Sequence, residues 1–77
     1  MYKRLGVKKV NTRILTNREY EVFSLLILNN TTKDIALELG ISEKTVRNHI
    51  SNVIQKLGVT SRSSAVVELL KLKEIEL

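Results

Sequence analysis

Cysteine and proline are both absent from this 77-residue chain, glycine occurs three times, and aromatic residues make up 4%. Without cysteine there is neither a disulfide framework nor a thiolate metal site, although the redox compartment stays open. Without proline, and with Leu, Ile, Val, Lys and Glu dominating, nothing in the composition interrupts helices, so an all-α chain fits better than a sheet. The longest apolar run, Leu25 to Leu28, is far too short to span a membrane, and the basic amino terminus is not followed by the apolar segment of a signal peptide. The expectation is a cytoplasmic protein with no membrane partner. His49 is the only histidine and has no clustered ligands, and Gly6, Gly40 and Gly58 are isolated rather than gathered into a phosphate-binding loop. No nucleophile, base and acid can be assembled either, so no enzyme, metal, cofactor or small-molecule ligand is expected. His49 reads as a partly buried structural residue on the edge of an apolar helix face.

Charge is informative once it is located. The net charge is +5, and residues 1–14 hold Lys3, Arg4, Lys8, Lys9 and Arg13 with no acid, so basic and acidic residues cancel over the remainder. This stretch has no helical period and is expected to be a flexible basic arm. Two readings stay open for it. It is a solvated tail, or it contacts phosphates or a minor groove beside a DNA-reading domain.

The rest of the chain, residues 15–77, has room for one domain with a modest core that gains from a partner subunit. Thr16 followed by Glu19 is a capping box, and Val22, Leu25 and Leu26, flanked by Phe23, give a first helix its buried side. That helix is expected to end near Asn29. Thr31 caps a short second helix with Asp34 near its positive end and Ile35, Ala36 and Leu39 as its stripe. Gly40 ends it, Ile41 plugs the corner and Ser42 caps a third helix from Glu43 to Leu57. Gly58 stops this helix, and Ser61 caps a fourth that runs from Arg62 to about Leu72. The second and third helices with their tight turn have the grammar of a helix-turn-helix.

On the third helix Val46, Ile50, Val53 and Leu57 fall in one narrow arc, while Lys44, Arg47, Asn48, Ser51 and Gln55 fall in the opposite one. An outer face that is merely solvated usually carries mixed Lys and Glu, whereas this one is polar and lightly charged. It suits base edges: Arg and Lys fork onto guanine, Asn pairs with adenine, and Ser serves either role. Lys44, Arg47, Asn48 and Ser51 are therefore the candidate base contacts. Thr31, Thr32, Lys33, Thr45, Lys56, Arg62 and Ser63 are candidates for phosphate contacts. The fourth helix is apolar on two sides. Ala65, Leu69 and Leu72 share one, Val66, Val67 and Leu70 the other, and since a small domain has one core to offer, the second side is the candidate dimer interface. Glu19 is read as structural, a cap and a candidate partner for Arg62. Ile75 and Leu77 are candidates to fold back onto the core.

Thr16, Arg18 and Glu19, then KDIALELGIS, EKTVRNHISN, QKLGV and RSSAVVELL, are similar to the LuxR-type helix-turn-helix family over roughly residues 15–77. One departure is Asn29 and Asn30 where that family usually has glycine, and asparagine is the next best residue for a left-handed cap. The resemblance implies a compact four-helix DNA-binding domain whose last helix forms a homodimer contact, a His at position 49 without catalytic duty, and double-stranded DNA as partner. It is strongest to short members of the family that control late sporulation genes in spore-forming bacteria. A chain that starts almost at its domain is expected to carry no receiver or ligand-sensing module, leaving control to its abundance. Two alternatives stay open: a small helical adaptor that binds a protein such as an RNA polymerase subunit, and a DNA-binding fragment of a longer response regulator.

Overall fold

The computed structural model describes residues 14–77; the basic stretch from Met1 to Arg13 lies outside the described residues. Four helices follow one another: α1 (Asn17–Leu26), α2 (Thr32–Leu39), α3 (Glu43–Leu57) and α4 (Arg62–Lys71). Each begins where a side-chain oxygen meets an orphan amide of the first turn. The Thr16 hydroxyl accepts from the Glu19 amide at 3.1 Å while a Glu19 carboxylate oxygen accepts from the Thr16 amide at 3.0 Å. Thr31 and Asp34 form the same reciprocal box at the start of α2. The Ser42 and Ser61 hydroxyls accept from the amides of Thr45 and Ser64 at 3.0 and 3.1 Å.

The helix ends are equally local in origin. Gly40 and Gly58 close α2 and α3 in the left-handed region, at φ 68° and 69°. At the end of α1 Asn29 takes that role at φ 70°. The helix itself stops at Leu26, earlier than its apolar pattern suggested, because the chain winds into a turn in which the Asn29 amide donates to Leu26 and the Asn30 side chain donates to the Leu25 carbonyl at 2.8 Å. Asparagine thus performs the capping with both backbone and side chain.

α3 is the central element and packs against each of the other three helices. Its Val46, Ile50 and Val53 meet Val22 and Phe23 of α1, Ile35 and Ala36 of α2, and Ala65 and Leu69 of α4 in one buried cluster that also takes in Leu15 and Ile75. The last turn folds back as expected for Ile75, which is 2% exposed, but Leu77 is 90% exposed and does not join the core. Leu72 also departs from the helical wheel that grouped it with Ala65 and Leu69. It caps α4 and is 47% exposed, because the chain turns at Lys73 (φ 60°) to bring Ile75 inward in its place.

One polar contact crosses this core. Glu19 is 4% exposed, and its carboxylate pairs with the ammonium of Lys56 on the last turn of α3, which also donates to the Ile14 carbonyl at 3.2 Å. Glu19 therefore binds Lys56 rather than Arg62. It sits at the amino-terminal end of α1, whereas Arg62 lines a groove with Leu26 and Ile27 at the far end of that helix. Burial by itself would push the Glu19 carboxyl up. The hydrogen bonds from Lys56 and the Thr16 amide, with the nearby charges of Lys56 and His49, outweigh it and hold the group below its ordinary value.

A depressed carboxyl stabilises the fold at pH above its unfolded value and loses that contribution as pH falls through the folded one. The stability of the native protein against urea is therefore expected to fall as pH drops below about 4.3, the ordinary glutamate value. Glu19→Gln should lower stability near neutrality by about 1–3 kcal/mol, and the gap between the two proteins should narrow in acid. An acid dependence identical in both would place the titrating group elsewhere.

Candidate nucleic-acid interface

The turn between α2 and α3 sets how the polar helix is displayed. The Ile41 amide reaches back to the Ala36 carbonyl at 3.0 Å, Gly40 supplies the left-handed residue, and Ser42 restarts the chain as a helix. With Val46, Ile50 and Val53 drawn into the core, the opposite side of α3 is left in solvent: Lys44, Arg47, Asn48, Ser51, Asn52 and Gln55 are all exposed. The four candidate base contacts thus share one open face. Thr45, on the margin of that face, is half-buried, and its hydroxyl lies 2.9 Å from that of Ser42.

This face carries charge of both signs in one place only. Arg47 Nη1 lies 3.5 Å from Glu43 Oε1, one turn earlier. The pair was legible in principle from the spacing of four residues between an acid and a following base.

The candidate phosphate contacts divide into three groups. Thr31, Thr32, Arg62 and Ser63, from the starts of α2 and α4, line one open groove, although Thr31 and Arg62 are distant in sequence. Lys33 and Thr45 stand apart from it, Lys33 exposed on the first turn of α2 and Thr45 on the first turn of α3. Lys56 belongs to neither. Its ammonium, on a side chain 34% exposed, is bound to Glu19 and the Ile14 carbonyl, so two of its three donors have partners within the chain. Spacing could not reveal this, because the partner lies 37 positions away.

On α4, Ala65 and Leu69 are buried, Val66 and Leu70 are half-buried against the core, and Val67 is 51% exposed. Val67 lines a shallow depression with Val59, Ser63, Ser64, Glu68 and Lys71. Of the three candidate dimer residues, Val67 is the one whose side chain is chiefly outward. His49 is half-buried on α3.

Among the described residues no three His, Cys, Asp or Glu side chains are grouped so as to hold a metal ion, and no helix is long and apolar enough to cross a membrane.

Residues 13–69 match the family described as bacterial regulatory proteins, luxR family. The chain is 69% identical over 64 residues to the spore germination protein GerE of Bacillus subtilis (strain 168), covering 83% of this chain and 86% of that protein. It is 46% identical over 71 residues to the transcriptional regulatory protein DegU of Brevibacillus brevis, covering 87% of this chain but 30% of that longer protein. A solved structure of the transcription factor GerE superposes with a TM-score of 0.80 at 62% identity, covering 82% of this chain and 94% of the other.

Because Lys56 is held by Glu19, its replacement is expected to act on the fold and not on the electrostatics of binding. Lys56→Met should lower stability by about 1–3 kcal/mol, since it leaves a buried carboxylate without its cation. The slope of log affinity for duplex DNA against log salt should not move. A slope smaller in magnitude by about 0.9 would instead show that Lys56 contacts phosphate as well as Glu19.

Proposed function

The chain belongs to the luxR family of bacterial regulatory proteins, a family of DNA-binding transcription regulators, and from that premise we propose that it is a homodimeric, sequence-specific regulator that reads the major groove with α3. The observation that carries this reading is the exposed polar face of α3, held outward by a buried apolar face and presented immediately after the Gly40 turn. A helix about 22 Å long at 1.5 Å per residue fits a groove about 12 Å wide, and its amino-terminal residues would reach deepest. Lys44, Arg47, Asn48 and Ser51 would meet base edges. Thr31, Thr32, Lys33, Thr45, Arg62 and Ser63 would hold phosphates, with the groove between α2 and α4 supporting the joint action of four of them.

Dimerisation would proceed through the outward side of α4, Val67 at its centre and Val66 and Leu70 flanking it, with Ser64 small enough to let two helices approach. Two copies related by a twofold axis would then address two half-sites. The high identity to a protein named for spore germination supports sporulation genes as targets. RNA polymerase is the further partner such a regulator would meet at promoters it activates.

Readout is tested by comparing a preferred site, selected from a random pool, with unrelated duplex DNA. Arg47→Ala and Asn48→Ala should each cost about 1–3 kcal/mol on the former and much less on the latter. Lys33→Ala should weaken both alike. Equal losses for all three variants would remove α3 from the base-reading role.

Assembly is tested at Val67, where exposure allows a charge without disturbing the core. Val67→Glu should remain folded by circular dichroism, sediment as a monomer and bind a paired site poorly. A dimer that survives this change and also Leu70→Glu would place the contact on another face.

A further inference from the structure

Arg47, which the reading above sets at a base edge, already has a partner on its own helix. Its guanidinium lies 3.5 Å from the Glu43 carboxylate, with 56% of the Arg47 side chain and 46% of the Glu43 side chain exposed. An acid at this place is disfavoured for a DNA-docking helix: Glu43 is the first residue of α3, at the end that would enter the groove between two rows of phosphates. Its local service to the helix is small. The Ser42 hydroxyl already satisfies the Thr45 amide, and a carboxylate in the first turn adds only a modest interaction with the dipole.

We infer that Glu43 is a specificity-determining residue that braces the Arg47 guanidinium for one base edge and penalises every other sequence by its charge. Two effects combine. The guanidinium has five N–H donors in a rigid fork, so one edge can be held by the carboxylate while another meets the two acceptors of guanine. In water a pair one turn apart is weak, but the exclusion of water from the groove strengthens it when the arginine is in register. On a sequence where Arg47 finds no guanine, the carboxylate remains as repulsion toward phosphate and base acceptors with nothing to offset it. Discrimination widens because the favoured contact is strengthened while the alternatives are actively disfavoured. The inference rests on α3 being the base-reading helix.

The test titrates the native protein, Glu43→Gln, Glu43→Asp, Arg47→Ala and the double variant Glu43→Gln with Arg47→Ala against a preferred site from a random pool and against unrelated duplex. Glu43→Gln is expected to bind unrelated DNA at least as well as the native protein and the preferred site less well, lowering the ratio of the two by about fivefold, the low end of what one bidentate contact discriminates. Glu43→Asp keeps the charge but is one methylene too short to hold Arg47, so its ratio should fall too, through loss on the preferred site. In the Arg47→Ala background the glutamine change should shift both DNAs alike. An unchanged ratio in Glu43→Gln overturns the inference, whether both affinities rise together, as for a merely repulsive charge, or neither moves, as for a cap. If Arg47→Ala itself leaves the ratio intact, the placement of Arg47 at a base edge fails first, and if Asn48→Ala leaves it intact as well, α3 as reader fails, so the failures are told apart.

Discussion

A carboxylate that is almost entirely removed from water has to be satisfied, and the way Glu19 meets that demand determines how the rest of the domain is joined. One oxygen closes the first turn of α1 through the Thr16 amide and takes the ammonium of Lys56 at the end of α3. Lys56 in turn holds the Ile14 carbonyl. The amides of Ile14 and Leu15 then donate to Glu74 beyond α4 at 3.2 and 3.3 Å. A local helix cap thereby extends into a chain of contacts linking the start of the domain, the far end of α3 and the tail. The apolar cluster supplies most of the stability, being the larger area, but it is tolerant of small slides between helices. Directional bonds at a buried charge are not, and they fix the roll of α1 against the helix whose outer face is displayed to solvent.

What could be read from the chain by itself separates cleanly by distance along it. Every helix start was legible, because Thr16, Thr31, Ser42 and Ser61 act on amides three positions away. The stops at Gly40 and Gly58 were legible for the same reason, as single residues in a left-handed conformation. The end of α1 was placed too late, since the apolar pattern continues through Ile27 and Leu28 while the backbone has already turned. The partner of Glu19 was misread, because both Lys56 and Arg62 are basic residues far off in sequence and only packing decides between them. The tail shows the same limit. Ile75 and Leu77 are alike in composition, yet one is buried and the other in solvent, a choice made by the turn at Lys73.

The candidate interface was legible to the extent that it depends on period. A helix with one wholly apolar arc must turn its other arc outward, so the exposure of Lys44, Arg47, Asn48 and Ser51 followed from spacing. The grouping of Thr31 and Thr32 with Arg62 and Ser63 did not, for it needs the starts of two helices distant in sequence to line the same groove. Nor did the spacing show that Lys56 is occupied. Basic residues look interchangeable in sequence, and their roles diverge only when each is seen with or without an internal acid.

The bonds from Ile14 and Leu15 to Glu74 have a topological meaning. They bring the two ends of the folded unit to one corner, so that its connectivity is nearly that of a closed ring. A unit closed in this way can be hung on a longer polypeptide by a single point, with little demand on its interior. The exposed face of α3 would then be presented in the same way by architectures of very different length. The relatives, one spanned for 86% of its length and another for 30%, are in keeping with such a portable module.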